Sequence, residues 1–175
     1  MGSIPLHPAL VHLPLGLAIV LPLLAIGLAL AARRRDLGRA PWLALVALQA
    51  LLSVSAVVAL KTGQRDEDVV EKAVPKGAIH EHEEAAEAFL ITTFVVLALA
   101  TAGTFLPGRM GSAGRGLYLV GTLAVAGAGL RTGHLGGQLV YVHGAASAHV
   151  EKAAPAGLGT TAPASPAVRK DDDDR

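Results

Sequence analysis

ALVHLPLGLAIVLPLLAIGLALAA, from Ala9 to Ala32, runs without one acidic or strongly basic side chain, and three arginines, Arg33–Arg35, follow at once. A bilayer's hydrocarbon core is about 30 Å thick and takes about 20 helical residues to cross. The stretch is long enough, and it is apolar all round rather than along one stripe. It lacks the alternating polarity of a barrel strand. Backbone N–H and C=O groups find no water in hydrocarbon, so such a run must bond internally as a helix. Three further stretches read the same way, at residues 41–60, 86–106 and 117–136. The expected fold class is therefore all-α: an integral membrane bundle of four transmembrane helices over residues 5–145. Residues 146–175 turn to Ala, Pro, Ser, Thr and Gly, which bury no core, and read as a disordered tail.

Composition supports this reading and excludes several functions. Hydrophobic residues make up 52% of the 175, while charged residues are 17%, against about a quarter in a soluble domain. The absence of cysteine removes disulfides, iron–sulfur clusters, covalent c-type haem and thiolate zinc sites. A formal net charge of +1 argues against a dedicated nucleic-acid binder. Upstream of the first apolar run there is no basic region, so that run reads as an uncleaved anchor rather than a secretory signal.

Orientation follows from the short loops. RRRDLGR carries Arg33, Arg34, Arg35 and Arg39, and PGRMGSAGRG carries Arg109 and Arg115. Short loops rich in Lys and Arg stay in the cytoplasm. Between Lys61 and Glu87 lie four basic and eight acidic residues, which marks the exported side. Both termini then lie on the exported side with that segment. Trp42 and Tyr118, each near the start of a crossing, fit an interfacial aromatic belt. Within the helices, Gly121, Gly129, Gly133 and Gly137 form a ridge on the fourth crossing that permits close approach, either within the bundle, at a homodimer seam, or beside a planar cofactor. Gln49 is placed for an interhelical hydrogen bond. Pro14 and Pro22 should distort the first helix.

All seven histidines fall on the exported side in this topology. Depth says more than sidedness. Counting about 20 residues from the cytoplasmic ends puts His12 and His134 at the same hydrocarbon boundary, on the first and fourth helices. They are the expected cofactor ligands, with Arg131 just inside the boundary to balance carboxylate or propionate charge. His7 stands about one turn above His12. On the third helix His80, Glu83, Glu84 and Glu87 share one face, and His82 points elsewhere. His143 lies across a continuous helix from His134 and joins it only if the helix ends between them. The candidate metal ligands are thus His7, His12, His80, His82, Glu83, His134 and His143. Imidazole with carboxylate suits zinc, copper, iron or nickel, and paired imidazoles suit haem b. The competing reading makes the same histidines polar interface residues bonded to backbone and carboxylates. No catalytic motif is present, so no catalytic residue is assigned.

HPALVHLPLG, from His7 to Gly16, and GHLGGQLVYVHG, from Gly133 to Gly144, resemble motifs of the bacterial membrane proteins called domain-of-unknown-function family 2231. LKTGQRDED at residues 60–68 and the His-Glu pairs at His80–Glu83 extend the resemblance over about residues 5–145. It implies a four-helix inner-membrane protein, sometimes a module beside redox domains. The motif histidines match His7, His12, His134 and His143, and either His80 or His82. It implies no activity. Three functions follow as expectations: a redox or metal- or haem-binding module with a membrane or periplasmic partner, a metal-handling transporter, and a structural subunit packed through the glycine ridge.

Overall fold

The computed structural model of the chain describes residues 6–71 and 73–148. They include the helices α1 (His7–Leu10), α2 (His12–Ala32), α3 (Ala40–Val70), α4 (Lys76–Phe105) and α5 (Gly108–Tyr141). Four stretches are long and apolar enough to cross a membrane, α1 and α2 together forming the first. Val11 interrupts that first stretch. Pro14 has no N–H to give the Leu10 carbonyl, so the helical ladder fails one turn before it. Pro41 sits in the first turn of α3, where its missing N–H costs nothing. Gly38, at φ +62°, turns the chain between α2 and α3.

The helices outrun the apolar stretches. α3 continues ten residues past Leu60, about 15 Å, so that LKTGQRDED is helical rather than loop. α4 begins at Lys76 and α5 at Gly108, each well before its apolar run. A last helical turn at 145–148 buries Ala145 against Val74 and Ile79. It takes up the first residues expected in the tail; residues 149–175, with His149, lie outside the described residues.

Each long helix packs on its sequence neighbour, and α2 closes the ring against α5. α1 folds back onto α3. Inside are Ala18, Leu21, Leu45, Leu52, Phe89, Val96 and Val125, joined by the buried polar residues Gln49, Ser53, Thr93 and Thr122. Outside, Leu23, Val54, Ile91, Leu117 and Val120 are exposed. Water would penalise that apolar exterior; lipid does not. Gln49 makes the expected interhelical bond, its Nε2 donating to the Thr93 carbonyl at 3.1 Å.

Two aromatic residues are buried among the helices: Tyr118 is 1% exposed and Trp42 6%. Because α5 begins at Gly108, Tyr118 is about 15 Å along it rather than at its mouth. The Arg115 guanidinium covers the Trp42 ring, 4.6 Å from its centroid.

The tightest helix contact is not the expected ridge. A Cβ on Gly114 would sit 2.7 Å from the Gly103 nitrogen, and one on Gly103 would sit 2.7 Å from the Arg115 nitrogen. One on Gly111 would strike the Leu106 carbonyl. α4 and α5 therefore touch backbone to backbone beside their two-residue connection. On the ridge, Gly129 lies against Phe89, Ala18 and Leu15, and Gly121 against Val96, whereas Gly137 faces open space.

Candidate functional site

The end of the bundle away from the α4–α5 connection collects the histidines. His7 opens α1, and its Nδ1 donates to the Ala59 carbonyl on α3 at 2.8 Å. A carbonyl can only accept, so this bond fixes the proton on Nδ1 and leaves the Nε2 lone pair free. The ring rests on Gly63, where a Cβ would come within 3.0 Å of Cε1, and Thr62 Oγ1 is 3.5 Å from Nδ1. The turns of α3 that outrun the apolar stretch provide this seat.

His82 meets His7 from α4. Their ring centroids are 6.4 Å apart, edge to face at 78°. His82 is set on Gly136 of α5, where a Cβ would stand 3.1 Å from its Cε1. Its Nδ1 is buried and has no hydrogen-bond partner among the described residues. Beside it, Thr132 Oγ1 donates to the carbonyls of Ala85 and Ala128, both at 3.0 Å, tying α4 to α5. Four helices thus bring two imidazoles together, and a glycine makes room for each.

The other candidates are arranged differently. His80 is exposed, its Nε2 3.3 Å from the Glu84 carboxylate one turn on. The face shared by His80, Glu83, Glu84 and Glu87 is turned outward, and the histidine turned inward is His82. His12 is exposed and bonds locally, Nδ1 to the Ala9 carbonyl at 3.3 Å. His134 is exposed as well; Gln138 Nε2 donates to its Nε2 at 3.2 Å, engaging that lone pair. It borders an apolar groove of about 300 Å³ between α2 and α5, lined by Leu15, Ala18, Gly129 and Gly133. Arg131 is exposed on α5 and forms no ion pair among the described residues. His143, half-buried, follows the end of α5, its backbone N–H on the Gln138 carbonyl at 3.0 Å.

Glu67, Glu71, Lys76, Ile79, His80 and Glu83 line a cleft of about 250 Å³ at this end. Lys76 pairs with Glu71, and its hydrogen bond and charge hold the Glu71 carboxyl below its ordinary value. Among the described residues no group of three or more His, Asp or Glu side chains gathers closely enough to hold a metal ion. His7 and His82 together offer two imidazoles.

A family model described as predicted membrane protein (DUF2231) matches residues 3–149. The chain belongs to this family. No curated protein and no solved structure matches it. In this member of DUF2231, four stretches that carry the family resemblance meet at one place: His7 from the first motif, Thr62 and Gly63 from the second, His82 from the His-Glu pairs and Gly136 from the last. Sequence reading missed Gly63 and Gly136, since glycine carries no chemistry of its own to draw attention.

Proposed function

We propose that this chain is a bacterial inner-membrane module that holds a first-row transition metal ion at the His7–His82 pair, serving redox chemistry or metal handling with a membrane or periplasmic partner. The observation that supports it is the pair itself. His7 Nε2 is left open by the Nδ1 bond to a carbonyl, and His82 Nδ1 is buried without a partner. A carbonyl fixing the far nitrogen is how proteins orient a metal-binding imidazole. Two nitrogen donors fall short of a closed tetrahedral zinc site, so the pair suits an ion with positions left for water or a partner's ligand. His80, Glu83 and His143, at the same end, are the remaining candidate donors. The arginine-rich loops support placing this end, and both termini, on the periplasmic side.

A second reading is supported by the groove beside His134. There His12 and His134 would hold haem b, with Arg131 balancing propionate charge and Gly129 and Gly133 giving room.

One experiment separates them: metal analysis and an absorption spectrum of protein purified from cells supplied with metals and haem. Stoichiometric metal that His7→Ala and His82→Ala each weaken by at least about 10- to 100-fold supports the first reading. A Soret band lost in His12→Ala and His134→Ala supports the second. His149→Ala serves as the control. Wild-type protein with neither metal nor pigment would overturn both and favour a structural subunit.

A further inference from the structure

The end opposite the histidines carries six arginines, Arg33, Arg34, Arg35, Arg39, Arg109 and Arg115, against a single carboxylate, Asp36. That carboxylate is already engaged: its Oδ1 accepts the Gly38 N–H at 3.0 Å and closes the turn between α2 and α3. Five of the arginines are exposed, and no ion pair forms with any of the six among the described residues. Arg115 is held in place. Its Nε donates to the Gly103 carbonyl at 2.9 Å, and its guanidinium lies on Trp42. Trp42 belongs to the first turn of α3, three residues after Arg39, so this contact ties one basic loop to the other.

Like charges gathered at one end repel unless a counter-charge arrives, and here the protein supplies one carboxylate against six guanidiniums. The cluster stands at the ends of spanning helices, at the level of lipid headgroups, and guanidinium matches a phosphodiester in shape and charge. We propose that this end is a binding site for the headgroup of an anionic glycerophospholipid, gripped by Arg33, Arg34, Arg35, Arg39 and Arg109 around the fixed Arg115–Trp42 pair. The histidine end offers no equal, because its cations are interspersed with carboxylates and Lys76 is paired with Glu71.

Trp42 is the only tryptophan and reports on this site directly. The full chain is reconstituted in phosphatidylcholine bilayers containing either brominated phosphatidylglycerol or brominated phosphatidylcholine at equal mole fraction. The expected result is several-fold stronger quenching of Trp42 by the anionic lipid. The preference should collapse near 1 M salt, where screening reaches about 3 Å. It should fall stepwise along the cumulative series Arg33→Gln, Arg34→Gln and Arg109→Gln and reach parity in the triple variant. Lys61→Gln with Arg65→Gln, at the far end, should leave it unchanged. Equal quenching of the wild-type protein by the two lipids overturns the proposal, whatever the variants do. So does an undiminished preference in the triple variant, or its abolition by millimolar inorganic phosphate, which would mark a site for free anions.

Discussion

At the arginine end, α4 and α5 meet through bare backbone at Gly103, Gly111 and Gly114; at the histidine end, the helices meet through imidazole rings seated on Gly63 and Gly136. Glycine serves both ends, with different consequences. Backbone pressed on backbone has no rotamer by which to yield, so the first contact is rigid. A ring on a glycine can swing by a few tenths of an ångström, so the second is adjustable. Side chains that move are what a ligand site needs, and backbone that cannot move is what a hinge point for two helices needs.

The largest effect should come from Gly114→Ala. Its methyl would stand 2.7 Å from the Gly103 nitrogen and 2.8 Å from the Gly103 Cα, with nothing flexible to displace. A loss of about 3 kcal/mol is expected, read as a steep fall in melting temperature in detergent. A variant that melts with the wild type would erase the distinction between the ends.

Gly136→Ala should cost less, about 1 kcal/mol, since the His82 ring can shift. Its clearer mark should be spectroscopic: imidazole NMR signals of both His7 and His82 should move, while those of His12 stay. Gly137→Ala, with nothing within 4 Å of the added methyl, sharpens the comparison from the same turn of helix. It should be neutral, or gain up to about 1 kcal/mol of helix propensity.

The smallest effect concerns the exposed Lys76–Glu71 pair. The Glu71 carboxyl is held below its ordinary 4.5, so its contribution is present above that value and is lost as pH falls through the lowered one. Glu71→Gln should therefore lower the melting temperature slightly at neutral pH, and the gap should close in acid. A gap that persists in acid would assign the effect to packing instead of charge.

How much of this was legible beforehand depends on the feature. The crossings were, because about 20 uncharged apolar residues have one stable form in lipid. The true helix ends were not. Lys76–Glu84 and Gly108–Gly116 are helical through tertiary contact, and hydropathy is blind to that. For the site, residue spacing put His80 with Glu83, Glu84 and Glu87 on one face but could not say which way that face turns. The signal was present on the same helix. Phe89, Thr93, Val96 and Ala100 are buried at helical spacing, and the series runs back through Ala85 to Ile79, with His82 between them. The equal depths of His12 and His134 were legible too, but depth carries no angle about the helix axis. The burial of Tyr118 was hidden for the same reason, since a position along the apolar run gives no direction about the axis.

The two-residue link between α4 and α5 bears on how the protein reaches its membrane. α5 is the least apolar of the four crossings, rich in glycine and carrying Arg131 and His134, so it partitions poorly alone. α4 emerges from the ribosome first and is the more apolar of the two. With only Leu106 and Pro107 between them, and Gly103 waiting for Gly114, the weaker segment is delivered against a partner that already spans. On this geometry the second half of the chain is expected to enter lipid as a hairpin, its passage underwritten by a neighbour rather than by its own hydropathy.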